Sequence, residues 1–332
     1  MKKIGVIEIY SKRYGGVVYT QKVKKALSRD FDLEEVNLEA KFFRKRRYLK
    51  FFESFYYLFK LKGEKDFWIR DFYSTVTLNK KKTKGKNLTL IFHVDSLSLP
   101  LLARIPAFLL EKLFFYRQLR RVDAIVTISE YWKNHFLDRG YKNVYKMNCG
   151  YDLNDFNISE ERVLEFKKKY QLEGKPIIYL GNCQKMKGVV ESYEALKDLD
   201  AYLVTSSKRQ VNIPALNFDL SYADYLSLLK ASTVAITMDK FNTGWNMTAQ
   251  EAMLLKTPVI GSGAGGTKEL YEEAGQIICD FKELKEKVEY LLGHPEARKK
   301  MGEAGYNYSK QFTLERFQSE WIKLVKKITD AI

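Results

Sequence analysis

The feature that most constrains this chain is an alternation of short aliphatic runs with amphipathic segments, carried through twice. Candidate strands in the first half are 3–9, 34–38, 67–70, 88–92 and 123–128, and in the second half 176–180, 201–204, 233–238, 258–261 and 276–279. These runs lack strict alternation, which suits strands buried on both faces. Segments such as 17–27, 222–231 and 281–292 show helical spacing between them. Strand alternating with helix means parallel sheets with right-handed crossovers. The expected class is therefore α/β, with two parallel-sheet domains. Its expected parts are a basic domain over 1–155, a second domain over 156–312, and a C-terminal helix within 313–332 that packs back on the first domain. The polar stretch near 152–174 reads as a hinge. Phe317, Trp321, Leu324 and Val325 give the last helix an apolar stripe.

Composition narrows the function. Of the 332 residues, 45% are hydrophobic, which excludes a disordered chain. The opening MKKIGVIEIY has too short an apolar run for a leader, and Glu8 interrupts it, so it reads as a buried strand. The apolar stretch 96–115 is broken by Arg104, Glu111 and Lys112, so no membrane span is expected; the scattered cysteines point to a reducing compartment, and a cytoplasmic place is expected. Cys149, Cys183 and Cys279 form no CxxC pair, and His93, His135 and His294 form no metal-ligand cluster. Charge is uneven: residues 1–150 hold 32 of the 57 Lys and Arg but only 15 of the 41 Asp and Glu. That half is expected to meet something anionic, a solvated basic surface being the plainer reading.

The richest segment is TGWNMTAQEAMLLKTPVIGSGAGG, residues 243–266. A loop with Gly244 leads to Asn246, Met247 and Thr248 at a helix start, then to a strand and a second glycine-rich turn. Free N–H groups at such helix starts hold phosphates without a metal. Glu251, about one turn inside the helix, is placed either to accept from ribose hydroxyls or to sit solvated on the surface. His93 and Asp95 follow a buried run in LTLIFHVDS, where α/β ligand crevices form. A hydrogen-bonded strand-end histidine and a helix-capping aspartate are the alternatives.

The stretch 243–266 resembles the nucleotide-sugar signature of the retaining family-four glycosyltransferases, which implies the GT-B fold, two Rossmann-like parallel-sheet domains facing a central cleft. Glu251-Ala252-Met253, Pro258-Val259-Ile260 and Gly265-Gly266 match it. Five further pieces follow in family order: Gly15-Gly16, DAIVTISEYWK from Asp123, NCGYDLNDF from Asn148, IIYLGNCQKMKG from Ile177, and HPEARKKMGEAGYNYSKQFTLERF from His294. The resemblance implies that Glu251 contacts the ribose, that Lys187 with Gly15 and Gly16 meets the diphosphate, and that His93 lies near the donor sugar. Two positions depart from the family. Thr243 stands where its first glutamate stands, and Asn182 where its basic-loop arginine stands.

The resemblance implies a metal-independent, retaining hexosyl transfer from a nucleotide-diphosphate sugar, with no other cofactor, to a glycan or lipid-linked acceptor, as in cell-envelope glycan synthesis. His93, Thr243 and Asp95 are the candidate catalytic residues. Gly15, Gly16, Asn182, Lys187, Gly244, Asn246, Met247, Thr248 and Glu251 are the candidate donor-binding residues. A relative that binds the donor without transfer is the alternative that Thr243 and Asn182 raise. A nucleic-acid binder is a further one, although no nucleic-acid motif is present and no specific nucleic acid is expected.

Residues 41–62, KFFRKRRYLKFFESFYYLFKLK, interleave nine aromatics with eight basic residues. Helical spacing puts Tyr48, Phe51, Phe52, Phe55 and Phe59 on one face. Such a helix either lies on an anionic membrane surface, at the inner face of the membrane, or covers the first sheet with that face in the core.

Overall fold

The computed structural model describes residues 1–8, 15–43, 45–94, 96 and 101–330. It divides into two units, Met1–Gly150 with Leu314–Ile332, and Tyr151–Thr313.

In the first unit β1 (Lys3–Glu8), β2 (Asp32–Asn37), β3 (Gly63–Arg70), β4 (Thr83–Leu90), β5 (Ala124–Thr127) and β6 (Val144–Lys146) form one sheet in the order β2-β1-β3-β4-β5-β6. Every pairing is parallel. β1, β3, β4 and β5 bury consecutive residues such as Ile4, Val6, Phe67, Leu88 and Val126, as expected of strands covered on both faces. The terminal helix Leu314–Asp330 belongs to this unit and packs on the helix Gly15–Leu27. Its stripe Phe317, Trp321, Leu324, Val325 and Ile328 is buried, and the Tyr19 ring meets Phe317 edge-on at 5.3 Å. The Tyr19 hydroxyl donates to the Met147 carbonyl at 2.6 Å, so a fully buried phenol keeps its hydrogen bond.

In the second unit β7 (Ile177–Asn182), β8 (Tyr202–Ser206), β9 (Leu216–Phe218), β10 (Val234–Thr237), β11 (Val259–Gly261) and β12 (Ile277–Ile278) are ordered β12-β11-β10-β7-β8-β9. Counted within the unit this is the 3-2-1-4-5-6 order of a dinucleotide-binding sheet read from the other edge. The chain runs outward from β7 in one direction and from β10 in the other, so the switch point lies between β7 and β10.

Ten of these strands fall on the expected runs; β6 and β9 do not. Both are three-residue edge strands with only one buried residue between them, Val144, so neither leaves an apolar run to find. The expected hinge is a second difference. Its residues fold as part of the second unit, where the helix Glu160–Lys169 buries Val163 and Phe166 and packs on the helix Tyr222–Ala231. Asp224 anchors that contact, with Lys169 Nζ at 2.9 Å and the Tyr170 hydroxyl at 3.1 Å. Among the described residues no helix is long and apolar enough to cross a membrane.

The helix Arg47–Lys60 does not carry the expected single aromatic face. Phe55 turns inward and packs with Val76, Ile91 and Phe115, whereas Phe52 and Phe59 are exposed. The side chains of Tyr48 and Phe51, and Asp95 altogether, lie outside the described residues.

Candidate functional site

The switch point of the second unit is where its polar side chains converge. At the end of β7 the chain turns through Gln184 and the short helix Lys185–Lys187 to Gly188. At the end of β10 it passes Met238 and Asp239. The two turns approach so closely that a Cβ on Gly188 would lie 2.1 Å from the Met238 carbonyl oxygen, and Gly188 also has φ +68°. Only glycine meets both demands. The Lys240 N–H donates to the Met186 carbonyl at 3.0 Å and joins the turns further.

This juxtaposition places Lys187 Nζ 2.8 Å from Asp239 Oδ1, and 5.3 Å above the Phe241 ring. Asp239 is 3% exposed, so its charge requires compensation. Its other oxygen accepts from Asn246 Nδ2 at 2.9 Å. Asn246 caps the helix Met247–Leu254, its Oδ1 accepting from the Ala249 N–H at 3.0 Å. One buried carboxylate thus ties the lysine of one loop to the start of a helix from another. The N–H groups of Met247 and Thr248, like those opening any helix, have no partner within it, and the helix end carries partial positive charge. A lysine beside such an end is an anion-binding arrangement.

One turn further in, Glu251 is buried, and the reading of it as a solvated helix glutamate does not hold. Its carboxylate accepts from the Tyr222 hydroxyl at 3.3 Å and from the Tyr225 hydroxyl at 3.0 Å, one on each oxygen. The Tyr225 hydroxyl also lies 3.2 Å from Thr248 Oγ1. Burial first, and then the Glu251 charge, push the Tyr225 hydroxyl far above its ordinary range, so it stays a donor. An ionised carboxylate has about four lone-pair sites. Neither tyrosine was among the sequence candidates, because residues so far from Glu251 in the chain carry no mark of this contact.

The glycine-rich turn after β11 closes against the loop before Asn246. Thr243 bridges Gly265, and its carbonyl accepts from the Gly266 N–H at 2.9 Å. Ser262 Oγ donates to the Asp239 carbonyl at 2.9 Å. Thr243 is 4% exposed, with Oγ1 directed at the Trp245 carbonyl at 3.4 Å, and Gly244 beside it is buried. Trp245 in turn donates from Nε1 to Gln250 Oε1 at 2.7 Å, which locks the loop onto the helix. Asn182, at the tip of β7, accepts at Oδ1 from Ser206 Oγ at 3.1 Å and from the Tyr179 hydroxyl at 3.4 Å.

The structure therefore brings Lys187, Asn246, Met247, Thr248 and Glu251 into one hydrogen-bonded neighbourhood, and adds Asp239, Tyr222 and Tyr225. Gly15 and Gly16 open the first helix of the other unit, and His93 is exposed just past β4 of that unit.

A model of the "Glycosyl transferase-like" family matches residues 189–322. An uncharacterized glycosyltransferase of Methanocaldococcus jannaschii is 26% identical over 233 residues, which are 65% of this chain and 63% of that protein, so the match spans a little under two thirds of the relative. Among solved structures, sucrose-phosphate synthase from Thermosynechococcus elongatus superposes with a TM-score of 0.81 at 16% identity, covering 100% of both chains. HepE of Anabaena, solved in complex with UDP and glucose, gives 0.75 at 12% identity over 98% of this chain and 100% of that one. By architecture the chain has the GT-B fold, and over residues 189–322 its sequence is similar to the glycosyl transferase-like family.

Proposed function

We propose that the chain transfers a sugar from a nucleotide-diphosphate sugar to an acceptor. The observation that carries this reading is the connected set Lys187–Asp239–Asn246 at the β7/β10 switch point, with the buried Glu251 one helical turn away. A diphosphate on Lys187 and the Met247 and Thr248 amides would put its ribose within reach of Glu251. The lysine and the helix end would also stabilise the charge that grows on the departing nucleoside diphosphate. On this reading the charge is met without a metal, so a chelator leaves turnover unchanged. HepE is a UDP and glucose complex, which makes uridine diphosphate sugars the first donors to try. Retention at the anomeric carbon, a glycan or lipid-linked acceptor, a place at the inner face of the membrane and roles for Gly15, Gly16, Asn182, Gly244, His93 and Asp95 complete the proposal; they rest on the resemblance.

A second reading, donor binding with little transfer, is favoured by Thr243, whose hydroxyl is turned to the Trp245 carbonyl inside a closed loop. Thermal-shift screening against a nucleotide-sugar panel tests the first step, because a ligand that binds only the folded state raises its stability. A nucleoside diphosphate should shift the melting temperature of the wild type, not that of Glu251→Ala, and less that of Lys187→Ala. No shift with any nucleotide sinks both readings; a shift without turnover selects the second.

A further inference from the structure

The helix Arg47–Lys60 carries large apolar side chains on its outer face as well as on the side that packs through Phe55 and Leu58. Leu49, Phe52, Tyr56 and Phe59, spaced by three, four and three residues, share its outer face and are all exposed, Phe52 by 68%. Glu53 and Ser54 are among the residues it buries. Glu53 has a defined task there. Its carboxylate accepts from the N–H groups of Lys41 at 2.8 Å, Phe42 at 3.0 Å and Phe43 at 2.9 Å, and from the Tyr57 hydroxyl at 2.8 Å. Burial works to raise its pKa, but the three backbone donors and Tyr57 outweigh it and hold the group down to about 2. The clamp fixes the preceding loop, in which Phe42 is 83% exposed.

Cations border this apolar surface. Lys41, Lys45, Arg46, Lys60 and Lys62 of the same segment are exposed. At the end of the stripe Phe59 lines a hollow of about 410 Å³ together with Lys81, Lys82 and Arg121. Lys82 Nζ donates to the Phe59 carbonyl at 2.9 Å, which joins the lysine-rich turn to the helix. A second exposed stripe of the same unit, Ile105, Phe108, Leu109, Leu113 and Phe114, runs up to Phe115, the last ring of the row Phe55–Tyr73–Phe72–Phe115 that also anchors the helix Arg47–Lys60.

We infer that this face of the first unit docks on an anionic lipid bilayer, with Phe42, Phe52, Tyr56 and Phe59 at the acyl boundary and the Lys81, Lys82 and Arg121 hollow on a phosphate headgroup. Exposed aromatics inside a cationic border match a bilayer, whose apolar layer lies under an anionic one. A soluble acidic partner would account for the cations, but not for a stripe of exposed rings with the helix's own carboxylate facing inward.

The test is sedimentation of the whole chain with vesicles of phosphatidylcholine plus phosphatidylglycerol, against phosphatidylcholine alone, at low and high salt. Wild type should pellet with the anionic vesicles at low salt and be released as salt screens the cations. Phe42→Ser with Phe52→Ser should weaken binding by at least ~10-fold. Lys81→Ala with Arg121→Ala should weaken it ~25-fold, at about fivefold per charge. Circular dichroism and melting temperature should stay at wild-type values, since the altered side chains are exposed. The inference fails if wild type stays in the supernatant at low salt, or if the aromatic pair binds like wild type. It fails too if light scattering finds a wild-type dimer that the aromatic pair splits, which would make the face a contact between copies. Nucleotide binding is read separately on the second unit, so neither result decides the other.

Discussion

Each unit is built on its own six-stranded parallel sheet and buries large aromatics, but among the described residues only the first also exposes a row of phenylalanines. In the second unit Tyr179, Tyr271 and Trp245 are buried, and the charges that matter converge at the strand ends, where Asp239 joins Lys187 to Asn246. In the first unit Phe42, Phe52, Tyr56 and Phe59 are exposed, and cations spread across the same surface. The difference teaches what each kind of partner demands. A small ligand of fixed shape needs donors held in place, and buried, satisfied polar networks hold donors in place. A broad, deformable surface needs area and charge, and neither requires a network.

The change expected to disturb this contrast most is Thr243→Glu, which restores the residue type that the resemblance expects. Thr243 is 4% exposed and its loop is zipped to Gly265 and Gly266. A carboxylate there has to be buried or to force the loop open, at a cost of about 3 kcal/mol. Denaturant melts should show that loss. Unchanged stability with a large gain in turnover would mean that the loop opens readily, and that the second unit is less rigid at its site than its hydrogen bonds indicate.

Next in size is Tyr225→Phe. The hydroxyl donates to Glu251 at 3.0 Å and lies 3.2 Å from Thr248 Oγ1. Removing a donor to a charged, buried acceptor costs about 2 kcal/mol. Nucleotide affinity should fall with it, because the carboxylate loses one of the two groups that aim it. Isothermal titration would show this, and affinity equal to wild type would leave Tyr225 a purely structural residue.

Most of the second unit was legible in the sequence, and the reason is physical. β7, β10 and β11 are covered on both faces, so each leaves an unbroken apolar run, and glycine turns such as Gly188 sit where backbones nearly touch. The expected helix start at Asn246, Met247 and Thr248 is where the helix Met247–Leu254 begins. What the sequence hid were contacts between distant segments. Asp239 read as one acidic residue among many until the fold set it against Lys187 and Asn246. The helix Arg47–Lys60 misled for a related reason: periodicity finds an apolar stripe but does not say which side of the helix the sheet takes. Here the loop clamped by Glu53 and the inward turn of Phe55 decide it.

A smaller effect belongs to His135 in the first unit, whose Nε2 lies 3.2 Å from the Tyr116 hydroxyl. Burial, then the positive charges of Arg139 and Lys112, hold its pKa down to about 4, against 6.5 in an open chain. Between those values the unfolded chain binds the proton more readily than the folded one. Stability therefore falls as pH drops from about 6.5 toward 4, and levels off below that. With solvent screening the effect is about 1 kcal/mol. His135→Gln should flatten that part of the stability profile, and urea melts across the range would show it. An unaltered slope would place the titrating group elsewhere.

The smallest expected change is the one on which the contrast turns. Phe52 is 68% exposed on a helix whose packing side is formed by Ser54, Phe55 and Leu58. Phe52→Ser removes a ring that shields little of the core, so folding stability should stay within about 0.5 kcal/mol of wild type. The same substitution at Trp321, which is fully buried under the terminal helix, would remove a core anchor and cost several times more, about 3–5 kcal/mol. Measuring both by denaturant melts separates rings that hold the fold from rings held out by it. A loss above about 2 kcal/mol for Phe52→Ser would mean that the ring packs within the chain. The aromatic stripe would then be part of the core, and the two units would no longer differ in where they keep their rings.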